Sequence, residues 1–242
     1  MTTLRPAWYS VNGDGFLSDI INLIHPPYTL WHLSYVLMGI ALAPKIFPDR
    51  SIAALLAFFL GLGIGAHALD ETMGNPLKTR LSKSQLYVIG LCALSSAILI
   101  GVYYALTVSS VLLVFVGLES FFAIAYNLEM FERRFHNALV FALSWGVIPF
   151  LAGYYVNALN LSLPILVLAA PVGLLTVVQK TLSTEARKIR RKMKPIDGLK
   201  LAGGEVIPAS SKELVRPIEI SLQVLTLTVF LIALGLLSER LF

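Results

Sequence analysis

The chain repeatedly runs for about twenty residues with few or no charges, and nothing else constrains its fold as much. Ser51–Leu69 holds no Asp, Glu, Lys or Arg, and Tyr28–Phe47, Gln85–Leu106, Val108–Leu128, Asn137–Leu159, Ser162–Leu182 and Pro217–Leu241 come close to the same pattern. A helix needs about 20 mostly apolar residues to cross a hydrocarbon layer about 30 Å thick. The spacing therefore predicts an all-α integral membrane protein, a bundle of about seven transmembrane helices. Composition agrees, with 57% hydrophobic residues, 14% charged ones and a mean hydropathy of +0.77. Soluble domains are about 25% charged. The lone cysteine, Cys92, excludes a disulfide framework and a cysteine zinc site. Leu4 to Asp19 is mixed and turn-rich, unlike a cleaved signal, so insertion is expected to rely on the first span.

Short links such as Pro48-Asp49-Arg50 pair the first span with the second, the third with the fourth and the fifth with the sixth as hairpins. Longer polar segments follow the second, fourth and sixth. Sixteen of the 19 Lys and Arg residues lie in those segments or at Arg5, and only Lys45, Arg50 and Arg240 fall on the other side. The positive-inside rule then makes the first set cytoplasmic. It places the N-terminus inside and the C-terminus outside a cytoplasmic membrane. The expected division is a cytoplasmic interfacial segment over 1–27, a six-helix core over 28–182, a basic cytoplasmic loop over 183–216 and a seventh helix over 217–242. Asn12-Gly13-Asp14-Gly15 reads as a turn in the first of these. The run from Glu185 to Lys194 reads either as a basic helix on anionic lipid or as a plain topogenic cluster. Segments 67–84, 127–136 and 180–216 share one face, so a site is expected at the cytoplasmic ends of the even-numbered helices.

His67, Asp70 and Glu71 stand at i, i+3 and i+4, which is one face of a helix, and they are expected to converge on a metal ion. Gly74-Asn75-Pro76 ends that helix, and Arg80 and Lys83 follow as contacts for an anionic head. Magnesium prefers oxygen donors, whereas a histidine among the ligands favours iron, zinc or manganese. Glu119 lies eleven residues into its span, about 16 Å deep. An acid there costs a few kcal/mol unless it is neutral, paired or facing water, so it marks an interior cavity. With Asp70 it is the candidate for acid/base work. Tyr126 and Asn127 continue a polar track from it. Glu129, Glu132 and His136, on a continuing helix, would add ligands for a second metal, with Arg133 and Arg134 as further headgroup contacts. Ordinary residues at a membrane exit, and a surface pair of Glu129 with Arg133, are the competing readings. His32 reads as packed among aromatic residues. Trp145 and Tyr154 are candidates for the wall of a lipid tunnel.

Several stretches together resemble the UbiA superfamily of intramembrane prenyltransferases. His25-Pro-Pro-Tyr-Thr-Leu-Trp and Gly39-Ile-Ala-Leu-Ala resemble its first helix. His67-Ala-Leu-Asp70 with Asn75-Pro-Leu-Lys-Thr-Arg80-Leu resembles its first aspartate-rich motif. Tyr126-Asn-Leu, Arg133-Arg134 and Ala152-Gly-Tyr-Tyr155 resemble its fourth-to-fifth helix connection, and Val177–Arg191 stands where the second aspartate-rich motif is carried. The resemblance covers roughly residues 20 to 195. It implies a divalent metal on the diphosphate of a polyprenyl donor whose chain lies in a lipid-facing tunnel. The departures are particular. His67 and Gly74 stand where aspartates are expected, and near the second motif Gln179 matches a leading amide and Glu185 is the acid.

The expected function is metal-assisted prenyl transfer to an acceptor, with isoprenoid or other lipid and the membrane as partners and no nucleic acid. Two other readings stay open. One is a lipid-modifying oxidoreductase, cyclase or hydratase with a His/carboxylate metal site. The other is a non-catalytic lipid- or pigment-binding subunit of a membrane complex.

Overall fold

The computed structural model describes residues 5–11, 13, 15–193, 199–200, 202–204, 206–207 and 210–241. Asn12 and Asp14 of the expected turn lie outside the described residues, as do 194–198 of the basic segment. The helices are α1 (Phe16–Ile24), α2 (Pro26–Leu42), α3 (Pro48–Thr72), α4 (Lys83–Thr107), α5 (Leu112–Asn127), α6 (Ala138–Ala158), α7 (Leu163–Lys192) and α8 (Ser211–Leu241). Between α7 and α8, Leu199–Lys200 pairs antiparallel with Val206–Ile207 in two-residue strands. Helices α3, α4, α6, α7 and α8 are long and apolar enough to cross a membrane, and α5 is a shorter apolar helix. Large side chains such as Leu99, Leu106, Leu163 and Leu174 are more than two-thirds exposed. Uncovered apolar surface on this scale suits lipid and not water. This is an integral membrane protein.

The bundle closes around α2, whose Trp31, Tyr35 and Val36 are fully buried. Trp31, Tyr35 and Met38 pack with Phe150 and Tyr154 of α6, Ala169 and Val172 of α7, and Val229 and Ala233 of α8. Lipid offers no hydrophobic gain for helix association, so small residues that let backbones touch carry the packing. Gly39 and Gly153 do this at the crossing of α2 and α6. A Cβ on Gly39 would strike the backbone carbonyl of Phe150, and one on Gly153 that of Val36.

Two helices open into wide turns. In α3 the π-helical stretch is Phe59–Ala66, with Gly61, Gly63 and Gly65 inside it. In α6 it is Leu143–Val147. The second has a local cause. Pro149 follows Trp145 by four residues and has no N–H to give its carbonyl. The His32 ring supplies the missing donor, with Nδ1 2.7 Å from Trp145 O.

Two helix ends differ from expectation. The basic stretch from Glu185 continues α7 to Lys192 without forming a separate surface helix. Arg190 there makes a two-pronged pair with Glu219 of α8, both about 10% exposed. Helix α8 begins six residues before Pro217, because Ser210 and Glu213 exchange capping hydrogen bonds that give the helix an earlier start.

Candidate functional site

The end of the bundle that carries the polar segments gathers titratable side chains from five elements. His67 and Asp70 come from the last turns of α3, immediately after its wide turn. His25 caps the gap between α1 and α2, and its ring centroid lies 4.1 Å from that of His67. Tyr9 packs on His25 and Tyr28 at 5.6 and 5.4 Å. Tyr126 and His136 stack at 4.4 Å. From α7 come Lys180, Arg187 and Arg191. Arg187 is the hub, because its charge acts on Tyr9, His25, His67, Asp70 and Tyr126. The N-terminal segment closes over this end, with Arg190 and Arg191 donating to the carbonyls of Arg5 and Pro6 at 3.1 and 3.2 Å. Outside the spans, burial holds His25 well below the ordinary histidine range, and the adjacent His67 adds to the effect. Burial likewise pushes the Tyr9 hydroxyl well above its usual range.

His67 and Asp70 reach this cluster, but Glu71 turns away from it. Its carboxylate accepts hydrogen bonds from Leu77 N (3.2 Å), Thr79 N (3.4 Å) and Thr79 Oγ1 (3.1 Å), and it is 1% exposed. It organises the loop that follows Gly74, Asn75 and Lys78, all at positive φ. Glu71→Ala should leave those donors buried without an acceptor and cost about 3 kcal/mol or more, at about 1–3 for each group stranded. A thermal melt in detergent checks this, and an unchanged melt would contradict it.

All four histidine rings use Nδ1 toward a backbone carbonyl, namely those of Leu23, Trp145, Gly63 and Tyr126 for His25, His32, His67 and His136. A carbonyl only accepts, so Nδ1 carries the proton in each. Helix α5 stops at Asn127, and Glu129, Phe131, Glu132 and Arg133 all have left-handed φ between 50° and 65°. The continuing helix that would align Glu129, Glu132 and His136 is thus replaced by a coiled loop. Glu129 there pairs with Arg133 at 3.0 Å. Among the described residues, no three His, Cys, Asp or Glu side chains come together as a metal-binding group.

The other expected headgroup contacts are dispersed. Arg80 bonds Asp19 and the carbonyls of Gly13 and Gly15 at 3.1–3.2 Å, tying the N-terminal segment to the loop after α3. Lys83 opens α4 at an exposed position, and Arg134 is exposed as well. Of the expected tunnel residues, Tyr126 accepts a hydrogen bond from Lys180 Nζ at 2.8 Å, and Asn127 donates to Ala123 O at 2.8 Å. Trp145 and Tyr154 are core side chains.

The open space lies elsewhere. A partly open pocket runs between α3, α4, α5 and α6, walled by side chains such as Ala57, Phe58, Leu94, Ile98, Phe115 and Val116. Glu119 faces into it. Both its carboxyl oxygens are shielded and have no hydrogen-bond partner. Leu62, Leu94 and Ala123 line the cavity and also pack with Tyr126 and Trp145, so an apolar layer separates Glu119 from the Asp70 cluster. The residues that sequence reasoning passed over are His25, Lys180, Arg187 and Arg191. Their signal was present, since spacings of seven and four put the three cations on one stripe of α7.

Compared by sequence, no family model and no curated protein matches the chain. Compared by structure, it is similar to a UbiA homologue from Archaeoglobus fulgidus bound to GPP and Mg2+, at 13% identity and a TM-score of 0.55, over 92% of this chain and 84% of that one. The same homologue bound to DMAPP and Mg2+ aligns at 14% identity and a TM-score of 0.53, over 92% and 84%. Its Cd2+-bound form aligns at 14% and 0.53, over 92% and 85%. At such identity the likeness speaks for architecture, and the chain shares the fold of that homologue.

Proposed function

We propose that this chain is a membrane enzyme acting on an isoprenoid, transferring its alkyl group to an acceptor. The observation that carries this reading is the charged cluster of Asp70, Arg187 and Arg191 at one end of an otherwise apolar bundle. Such an end suits a molecule with an anionic head and a hydrocarbon tail. The UbiA homologue of similar fold was solved bound to GPP and to DMAPP, each with Mg2+. The tail would lie among the apolar helices. Asp70 would act beside the reacting head, and Glu119 would serve as acid/base deeper in the membrane.

The donor set limits what a divalent ion can do here. Asp70 is the carboxylate of this cluster with no hydrogen bond or ion pair to another described residue, while Glu71 is held by its loop and Glu129 by Arg133. One free carboxylate that faces guanidinium groups does not fit an ion gripped by acids from two sides. Nor does it fit a shared His67–Asp70–Glu71 centre.

The same reading assigns seven spans with the N-terminus in the cytoplasm, the cluster on the cytoplasmic face, and the division at 27, 182 and 216. A second reading rests on Glu119 alone. An unpartnered acid in an apolar cavity suits proton-driven cyclisation or hydration of an isoprenoid double bond. Incubating purified protein in detergent with radiolabelled GPP and extracted membrane lipid separates the two. Label in a new lipid with release of diphosphate is expected. An isomerised or hydrated isoprenoid would favour the second reading, and unchanged substrate would sink both.

A further inference from the structure

We infer that Arg187, flanked by Lys180 and Arg191, grips a phosphate or diphosphate headgroup directly, with no bridging metal ion. This rests on the isoprenoid reading above for the tail attached to that head, but the grip stands on its own residues. The three cations share one stripe of α7. None has a carboxylate within ion-pair distance among the described residues, although Arg133, Lys188, Arg190 and Arg80 all do. Arg187 is half-buried, and its recorded hydrogen bond is a long one, 3.5 Å to Thr184 Oγ1 within its own helix. A guanidinium carries five N–H donors in a planar fork, so most of its capacity is unspent.

Lys180 is half-buried against the Tyr126 and Phe141 rings, at 4.9 and 5.0 Å from their centroids. Arg187 acts electrostatically on both Lys180 and Arg191, so its charge repels each of them. Asp70 supplies one negative charge nearby. Lys180 and Arg187 are partly buried, cations in excess of their counter-charges there are costly, and an anion beside them relieves that cost. Planar bidentate recognition of phosphate is the task guanidinium does best. His25 and His67 spend their Nδ1 protons on backbone carbonyls, so neither ring donates to the head from that nitrogen.

The sign of one substitution separates this from a metal clamp. If a metal ion joined Asp70 to the phosphate, Asp70→Asn would abolish binding. If the cations hold the anion, Asp70 is a like charge beside it, and Asp70→Asn should leave binding intact or tighten it.

The test is calorimetry on the full chain in detergent, with inorganic diphosphate as probe, in EDTA and again with Mg2+. Binding in EDTA is expected. Arg187→Gln should weaken it about 10- to 100-fold, the loss of one or two charge-assisted hydrogen bonds, and Arg187→Lys should restore part of it. Lys also guards against reading misfolding as lost binding. Binding that appears only with Mg2+ and vanishes in Asp70→Asn overturns the proposal, and so does an absence of binding in both buffers. Nanodiscs rich in phosphatidic acid distinguish the source of the head. If they displace diphosphate, the grip takes a bilayer headgroup, and if they do not, it takes a free prenyl diphosphate. Binding of geranylgeraniol, which has the tail and no phosphate, is measured separately. Its loss would count against the isoprenoid reading and leave the grip standing, and its retention without diphosphate binding would do the reverse.

Discussion

Glu119→Leu is expected to make the protein more stable and to stop it working. The carboxyl faces an apolar cavity and neither oxygen has a partner. Placing an acid at mid-depth costs about 2.5–3.5 kcal/mol by insertion scales, and leucine of similar size removes that cost. A gain of about 2 kcal/mol should appear as a higher melting temperature in detergent. Natural chains keep such a cost where function needs it. Turnover should fall by about 10²- to 10⁴-fold, the usual worth of a positioned acid or base. Glu119→Gln should show the same loss with little change in stability, because the amide keeps a polar group in the cavity. A leucine variant that is less stable, or as active as the native chain, would remove Glu119 from the mechanism.

Valine at Gly153 or Gly39 should have the opposite character, a loss of fold before any loss of chemistry. Each added side chain would run into backbone of the facing helix, at Val36 or at Phe150 and Tyr154. Backbone cannot step aside by changing rotamer, so α2 and α6 must separate. Trp31, Tyr35, Phe150 and Tyr154 would then lose their shared packing. Overpacking a tight core costs about 1–3 kcal/mol and sometimes more. This site should fall at about 3 kcal/mol or above, with poor recovery from the membrane. Gly235→Ala, where a Cβ meets nothing within 4 Å, is the control expected to melt like the native chain. Equal melting of Gly153→Val and the control would show that the crossing is looser than described.

The helical membrane architecture was legible because lipid imposes a length and a polarity on each span. Ser51–Leu69 and Gln85–Leu106 lie within α3 and α4. The stop at Gly74-Asn75-Pro76 was legible too, since the chain there turns through left-handed φ. Glu119 stood out from its depth alone. Glu71 did not, because whether a carboxylate faces a ligand or its own loop depends on Leu77 and Thr79, six and eight residues on. His136 was placed on a helix that ends at Asn127, since no glycine or proline between them signals the coil. Lys180 and Arg187 were hidden by their company: beside Lys188, Arg191 and Lys192, half-buried cations look in sequence like exposed ones.

Wide turns such as Phe59–Ala66 carry a consequence for how this site could be switched off or retuned over evolutionary time. They act as an angular adjustment between two halves of one rod. Each residue of an ordinary α-helix advances the azimuth by about 100°, and a widened turn takes up an extra residue by winding less per residue, so it holds what lies beyond near the azimuth that a shorter α-helix would give. In α3, what lies immediately beyond is His67 and Asp70. A chain one residue shorter between Phe59 and Ala66 would close that turn into α-helix and leave its carboxylate near the same azimuth, whereas a residue lost elsewhere in α3 would swing it by about 100°.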